Sequence, residues 1–278
     1  MSTSFKASIR KINDNAVTVS TPRSVFGLLN FGARMTLFNF NGNIVIYSPI
    51  KYDETIFNQA VNKLFDSQDE PVYEIKYAIA ANDEHNLYSH EYKEKLGCKV
   101  IAGENCKLKN NCQTDFKLTS KIANRVIKGD LWSEDLNITD PFMKNLELVY
   151  LGNHMVHDVE VFDKTSKTLF VGDVLVNLGV PGTTEGKVTL EQYSPEVGYP
   201  QGYNPHGWLS YFTRYLQPDS AVCRYFANYS AGTKTETGKE GIKLIDGWNF
   251  EKIVMIHGNV IDKDAKDVWK KLFPSCFE

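Results

Sequence analysis

Three stretches of the sequence set a metal-ligating or proton-transferring side chain beside a glycine at the end of an apolar run. His154 and His157 follow Gly152, Asp173 follows Gly172, and His257 precedes Gly258. A fourth apolar run ends in the polar stretch Asn82-Asp83-Glu84-His85-Asn86, which adds two carboxylates and another imidazole. Imidazole nitrogens and carboxylates are ligands for zinc, iron or manganese, and a cation so held makes water a nucleophile near neutral pH. Without metal, the same groups can act as general acids and bases, His85 among them. A lone histidine at a strand end is commonly a hydrogen-bonded structural residue. The shared context gives these residues weight, because active sites of layered α/β proteins gather where loops converge on sheet edges.

Bringing such distant stretches together requires rigid elements, and strand and helix signals interleave along the chain. Residues 35–40 and 44–47 are β-rich runs flanking Asn41-Gly42, the strongest short hairpin signal. Asp53 is placed to cap a helix whose apolar stripe is Ile56, Phe57, Ala60, Val61, Leu64 and Phe65. A strand is expected over 74–81, a helix over 88–96 stopped by Gly97, and a short strand over 99–102. The polar stretch 104–115 reads as a surface loop. Strands return at 146–151, 156–162 and 168–171, the last two joined by a turn at 164–167. Residues 179–204 are rich in Gly, Pro and Tyr, a length of loop that is usually functional or mobile. Trp208, Leu209, Phe212, Tyr215 and Leu216 mark an amphipathic helix, residues 253–256 a strand, and Val268, Trp269, Leu272 and Phe273 a terminal helix. The aromatic stretch 193–215 reads either as a wall over the site or as packing against the sheet.

Composition narrows the function classes. The 278 residues are 42% hydrophobic and 23% charged, which excludes disorder, collagen and coiled coil. A net charge of −3 supplies no basic field for nucleic acid or an anionic membrane. No run approaches the ~20 apolar residues of a membrane span, and the first residues lack the apolar core of a signal peptide. With an odd number of thinly spread cysteines as well, the expectation is a cytoplasmic protein acting on a small molecule. No Gly-x-Gly-x-x-Gly follows a strand, so no nucleotide cofactor is expected, and no Gly-x-Ser-x-Gly elbow is present. The stretch 232–240 is one residue too long for a phosphate-binding loop and has Glu240 where Ser or Thr is needed, so it reads as a solvated loop. No linker divides the chain, and one domain over 1–278 is expected. Nothing in the pattern indicates an oligomeric state.

The order of these pieces resembles the metallo-β-lactamase superfamily. Leu151-Gly-Asn-His-Met-Val-His157-Asp is similar to its Gly-His-Thr-x-Gly-His-Thr segment, with His157 at the metal-binding position. Thr168-Leu-Phe-Val-Gly-Asp173 is similar to the strand-Gly-Asp segment whose aspartate bridges two metals, and Ile256-His257-Gly258 to the last His-Gly motif. The likeness runs from about Arg34 to the C-terminus. It implies an α/β fold of the αβ/βα sandwich type, two mixed β-sheets face to face with helices on the outer faces.

The superfamily's His-x-His-x-Asp-His signature should follow the strand at 74–81, where this chain has Asn82-Asp83-Glu84-His85-Asn86-Leu87. A shifted register, His85-x-Leu87-x-Ser89-His90, recovers two histidines but delays the motif past the strand end. The unshifted Asn-x-x-His pattern resembles a little-characterised subfamily of unknown function with a degenerate metal motif, also similar around Arg34-Met-Thr-Leu and Tyr47-Ser-Pro-Ile. In the superfamily plan one metal takes two histidines of the signature plus His157, and the other takes its Asp-His pair plus Asp173 and His257. The resemblance therefore implies at most one merged site: His157, Asp173 and His257, with Glu84 or His85 as fourth ligand. Asp173 and His85 are the candidate catalytic residues. One zinc or iron there would support hydrolysis of a small ester, thioester, lactone or amide. The alternative is a pseudoenzyme that kept the fold as a binding or scaffold protein.

Overall fold

The Asn41-Gly42 pair turns the chain as its composition predicts: both residues adopt positive φ, 53° and 85°, as a two-residue hairpin turn requires. Phe40 pairs with Asn43 across it. The computed structural model describes residues 5–67, 71–179 and 190–278. Part of the expected long loop, 180–189, lies outside them.

The first sheet contains β1 (Ser8–Asn13), β2 (Ala16–Thr21), β5 (Ala33–Phe40), β6 (Asn43–Tyr47), β7 (Glu74–Ile79), β8 (Lys99–Gly103) and β9 (Phe116–Leu118), in that spatial order. It is antiparallel up to β6 and parallel from β6 to β9. A small ribbon, β3 (Ser24–Val25) with β4 (Leu29–Asn30), precedes β5. The second sheet runs β10 (Val126–Ile127), β11 (Leu146–Tyr150), β12 (Val159–Asp163), β13 (Thr168–Val171) and β14 (Lys252–Met255). It is antiparallel except for the parallel pair β13–β14.

Among the described residues are six α-helices: α1 (Glu54–Leu64), α2 (Ser89–Leu96), α3 (Leu131–Leu136), α4 (Ala221–Ser230), α5 (Glu236–Asp246) and α6 (Ala265–Leu272). Asp53 caps α1 by accepting from the Ile56 N–H at 3.0 Å, and Phe57, Ala60, Val61 and Leu64 are its buried stripe. That stripe and Tyr92 of α2 pack on Val17, Leu37, Ile44 and Ile75 of the first sheet. Residues of α4, α5 and α6 cover the outer face of the second sheet. Between the sheets, Phe38, Tyr47, Ile79, Val161, Phe170 and Val254 share one core. Phe38 meets Phe170 edge-on across the interface with ring centroids 4.7 Å apart, a geometry worth about 0.5–1.5 kcal/mol beyond the area it buries. The layers are thus helix, sheet, sheet, helix, the mixed-sheet α/β sandwich expected from the sequence. No helix among the described residues is long and apolar enough to cross a membrane.

Several elements depart from expectation for local reasons. The strand expected to begin at 156 begins at Val159, because the chain first makes a turn closed by the His157 N–H on the His154 carbonyl, 3.0 Å. The stretch 232–240 contains the start of α5: Thr235 caps it by accepting from the Gly238 N–H at 3.1 Å. Gly241 lets this helix lie close against β11 and its flank, since a Cβ there would fall 2.6 Å from Leu151 Cδ2. Trp208–Tyr215 is a 3₁₀ helix, and it buries Ser210 and Thr213 while Trp208 and Phe212 face solvent. The hydroxyls explain the inversion: Ser210 Oγ accepts from the Asn30 N–H at 2.8 Å, and Thr213 Oγ1 donates to the Ser210 carbonyl at 2.6 Å.

Candidate metal centre

Asp173 and His257 meet because β13 and β14 are parallel neighbours. Val171 pairs with Met255 at their C-terminal ends, so each strand delivers its side chain to the same edge two residues later. Two residues from the quoted phrases tie the first sheet to this edge. Arg34, fully buried, donates to the Met255 carbonyl and to Glu191 Oε2, and the Tyr47 hydroxyl donates to the Val159 carbonyl at 2.8 Å.

His85 arrives from the first sheet. Past β7 the chain is stapled across the sandwich: the Val159 N–H donates to the Ala81 carbonyl at 2.8 Å and the Asp83 N–H to the Val156 carbonyl at 3.0 Å. Asn82 Oδ1 then accepts from the Glu84 and His85 N–H groups at 2.9 and 2.8 Å, a turn that sets where His85 points. The outcome is a cluster of three. His85 Nε2 lies 3.1 Å from His257 Nε2 and 3.5 Å from Asp173 Oδ2, and His257 Nε2 lies 3.3 Å from Asp173 Oδ1. Among the described residues, no other His, Cys, Asp and Glu side chains gather in this way.

The chemistry of the donor set fits a metal ion. The His257 Nδ1 is 2.8 Å from the Gly32 carbonyl, which can only accept, so Nδ1 carries the proton and Nε2 offers its lone pair to the cluster. Burial pushes His85 down to about 3 against the pull of Asp173, which leaves its imidazole neutral at pH 7. Burial works against the charge on Asp173, but the imidazoles of His85 and His257 outweigh it and hold the carboxyl well below the usual carboxylate range. Two imidazole nitrogens and one carboxylate therefore converge. Their separations bracket the roughly 3.3 Å edge of a tetrahedron with ~2.0–2.1 Å metal–ligand bonds.

A fully buried amide stands behind this cluster. Asn82 Nδ2 donates to Asp158 Oδ1 at 2.7 Å and to Asp173 Oδ2 at 2.9 Å, so with its two accepted bonds its hydrogen-bonding capacity is full. The other Asp158 oxygen accepts from the Val174 N–H. Gly172 is required here because a Cβ would fall 2.4 Å from Asp158 Oδ1. Glu160, also fully buried, accepts from the Gly172 N–H at 3.2 Å. Burial first and Asp158 second push its carboxyl well above the usual range. A group that binds its proton more tightly folded than unfolded makes stability fall as pH rises above the unfolded pKa of about 4.5. Glu160→Gln keeps the shape and a donor toward Asp158 while removing this titration. Thermal melts should show no gain at pH 4 and a gain that grows toward pH 8, each ~1 kcal/mol giving about 2–4 °C.

The structure does not bring His157 or Glu84 into the cluster. His157 adopts φ 53° and its Nδ1 lies 2.7 Å from Asp83 Oδ2, while Asp83 Oδ1 accepts from the Cys106 thiol at 3.1 Å. Glu84 is exposed. His154 is buried with neither ring nitrogen hydrogen-bonded, 3.9 Å from Asp158, and His90 is buried on α2. Sequence reasoning missed Asp158 and Glu160. The signal available was a lone carboxylate in the apolar run Val159-Glu-Val-Phe162.

Two cavities flank the cluster. One of about 120 Å³ reaches His85 past Arg23 and Lys51. The other, about 670 Å³, reaches Asp173, and Phe212, Tyr215 and Leu216 of the aromatic stretch help to wall it. Tyr193, Tyr199 and Tyr203 of the same stretch pack on one another instead.

By sequence, the chain matches no protein-family model and no curated protein. Solved structures do resemble it. DIM-1 metallo-β-lactamase exposed to ceftazidime aligns with a TM-score of 0.55 at 14% identity, over 97% of each chain. The metallo-β-lactamase from Hirschia baltica aligns at 0.53 and 10% identity over 98% of each. TMB-1 aligns at 0.52 and 12% identity, over 98% of this chain and 99% of its own. The likeness extends to the N-terminal hairpin that precedes Arg34. From β1 to the last helix, the chain has the metallo-β-lactamase fold.

Proposed function

We propose that His85, Asp173 and His257 hold one divalent cation, zinc or iron, and that the protein is a mononuclear metal-dependent hydrolase of an ester, thioester, lactone or amide. The observation that carries this reading is the set of donor separations, 3.1, 3.3 and 3.5 Å between two imidazole nitrogens and a carboxylate. Three protein ligands leave a position open, as catalytic sites need. A cation bound there supplies Lewis acidity toward a carbonyl oxygen and a lowered pKa for water.

The chain's own residues do the positioning. The Gly32 carbonyl fixes the His257 tautomer, Asn82 orients Asp173, and the apolar wall beside Asp173 keeps bulk water from the reacting carbonyl. In the net reaction the water oxygen bonds to the carbonyl carbon, the bond to the leaving oxygen, sulfur or nitrogen breaks, and the leaving group departs with a proton. One cation rather than two is favoured by the Asn82 amide, which already bridges the Asp158 and Asp173 carboxylates.

Elemental analysis of protein purified without added metal is the test, alongside hydrolysis of 4-nitrophenyl acetate before and after chelation. The expected result is one zinc or iron per chain, with hydrolysis and several degrees of melting temperature lost to chelator and restored by metal. Metal-free protein whose melting temperature ignores chelator and added zinc would overturn the reading and leave a binding scaffold.

A further inference from the structure

We propose that the 670 Å³ cavity beside Asp173 is an acyl-chain pocket, selecting neutral lipophilic substrates with chains of about eight to twelve carbons. This rests on the hydrolase reading for its catalytic half, and its binding half stands without it. Asp173 is the one ionised side chain lining the cavity among the described residues. Three polar side chains in the wall are turned onto the protein itself. Thr213 Oγ1 donates to the Ser210 carbonyl at 2.6 Å, Ser230 Oγ to the Ala227 carbonyl at 3.1 Å, and the Cys223 thiol to the Val176 carbonyl at 3.7 Å.

Apart from the partly exposed rings of Tyr215 and Tyr229, the rest of the wall is apolar, with Leu29, Val176, Phe212, Val222 and Phe226 among its residues. Phe212, Phe226 and Met155 stay exposed at the rim, 75%, 55% and 62%, so the apolar surface continues outward from the cavity. An anionic substituent finds no cation among the described residues of this wall and faces the charge of Asp173, whereas an alkyl chain trades water for apolar contact along its length. The volume is that of a small-molecule site, and at ~30 Å³ per methylene-sized group, about half filled, it holds a chain of roughly ten carbons. A carbonyl at the head of such a chain lies at the Asp173 end, beside His85 and His257.

The test has a binding arm and a catalytic arm. Chelator-treated protein is titrated with butan-1-ol, hexan-1-ol, octan-1-ol and decan-1-ol, and with decanoate as the anionic control. Affinity should rise about fourfold per methylene, the worth of burying each one, with decanoate weaker than decan-1-ol. Metal-loaded protein is assayed on 4-nitrophenyl esters from acetate to laurate, and kcat/KM should climb with the same slope before levelling near ten carbons. Val222→Trp, at a half-exposed position on α4, fills the cavity and should flatten both series, and Phe226→Asp should weaken decan-1-ol at least tenfold. A flat alcohol series, or a slope unchanged in both variants, overturns the pocket. A steep alcohol series with no ester hydrolysed keeps the pocket and sinks the hydrolase reading alone.

Discussion

His257→Ala is expected to emerge from purification without metal, binding zinc at least ~100-fold more weakly than the parent and hydrolysing esters at background rate. The reasoning starts from the ring itself. Its Nδ1–H is committed to the Gly32 carbonyl, so the imidazole contributes one lone pair, at Nε2, and that lone pair faces the other two donors. Losing merely the outer partner of a ligating histidine costs about 10–100-fold in metal affinity, so losing the ligand must cost more. Two donors cannot make a closed site.

Truncation also leaves the Gly32 carbonyl without its donor, a penalty of about 1–3 kcal/mol in the metal-free protein. Melting curves therefore have to be compared with and without chelator: the variant should melt lower, yet show no chelator response. His157→Ala is the control. Its ring is held by Asp83 outside the cluster, so one metal per chain should remain. Competition with a colorimetric zinc chelator measures both. If instead His157→Ala strips the metal and His257→Ala keeps it, the ligand set proposed here is wrong.

How much of this was legible depends on which physical interactions decided each position. Asp173 and His257 could be picked out because they end apolar runs, and the parallel pairing of those runs brings them together. Where the chain turns sharply, sequence position was a poorer guide. His157 follows a strand end as the expected ligand does, but its left-handed backbone directs the ring to Asp83. His85 is an auxiliary residue in the pattern and a central one in space, because the Asn82 side chain, not the strand, shapes that turn. Glu160 belongs to an alternating strand that would show its carboxylate to solvent if the second sheet were bare. Helices cover the second sheet's outer face, so every residue of β12 is buried.

The same logic explains the missed elements. β1 reads as polar, Ser-Ile-Arg-Lys-Ile-Asn, and β2 hides Thr18, Ser20 and Thr21 as well as its valines, so neither shows a clean two-residue period. Hairpin and helix signals survived where local chemistry alone decided, at Asn41-Gly42 and at the Asp53 cap. They failed at Trp208–Tyr215, where the hydroxyls of Ser210 and Thr213 hydrogen-bond inward and turn the apolar face out.

Asn82→Asp should have the largest effect on stability, and an effect that metal can reverse. In the parent, a neutral amide with two N–H donors lies between Asp158 and Asp173 and satisfies an oxygen of each. The aspartate variant keeps the acceptor that holds the Glu84 and His85 N–H groups, so the turn can persist. Both donated bonds vanish, and a third carboxylate enters a fully buried position. Leaving a buried charge uncompensated costs about 3–5 kcal/mol, which for a chain of this size is roughly 10 °C or more in melting temperature.

The pH dependence follows from the same crowding. The new carboxyl, beside two others and out of water, holds its proton more tightly folded than unfolded. The folded state then binds the extra proton over the interval above about pH 4, so the penalty grows with rising pH and fades in acid. A cation does what the lost amide did. Added zinc should recover most of the lost stability at pH 8 and raise the metal content from one toward two per chain, whereas magnesium, which gives up its waters reluctantly, should recover less in so buried a place. Melts at pH 5 and 8 with and without zinc, with elemental analysis of the same samples, decide it. A variant that melts with the parent at pH 8 and stays at one metal would mean that the carboxylates at 158 and 173 are not held together by the Asn82 amide.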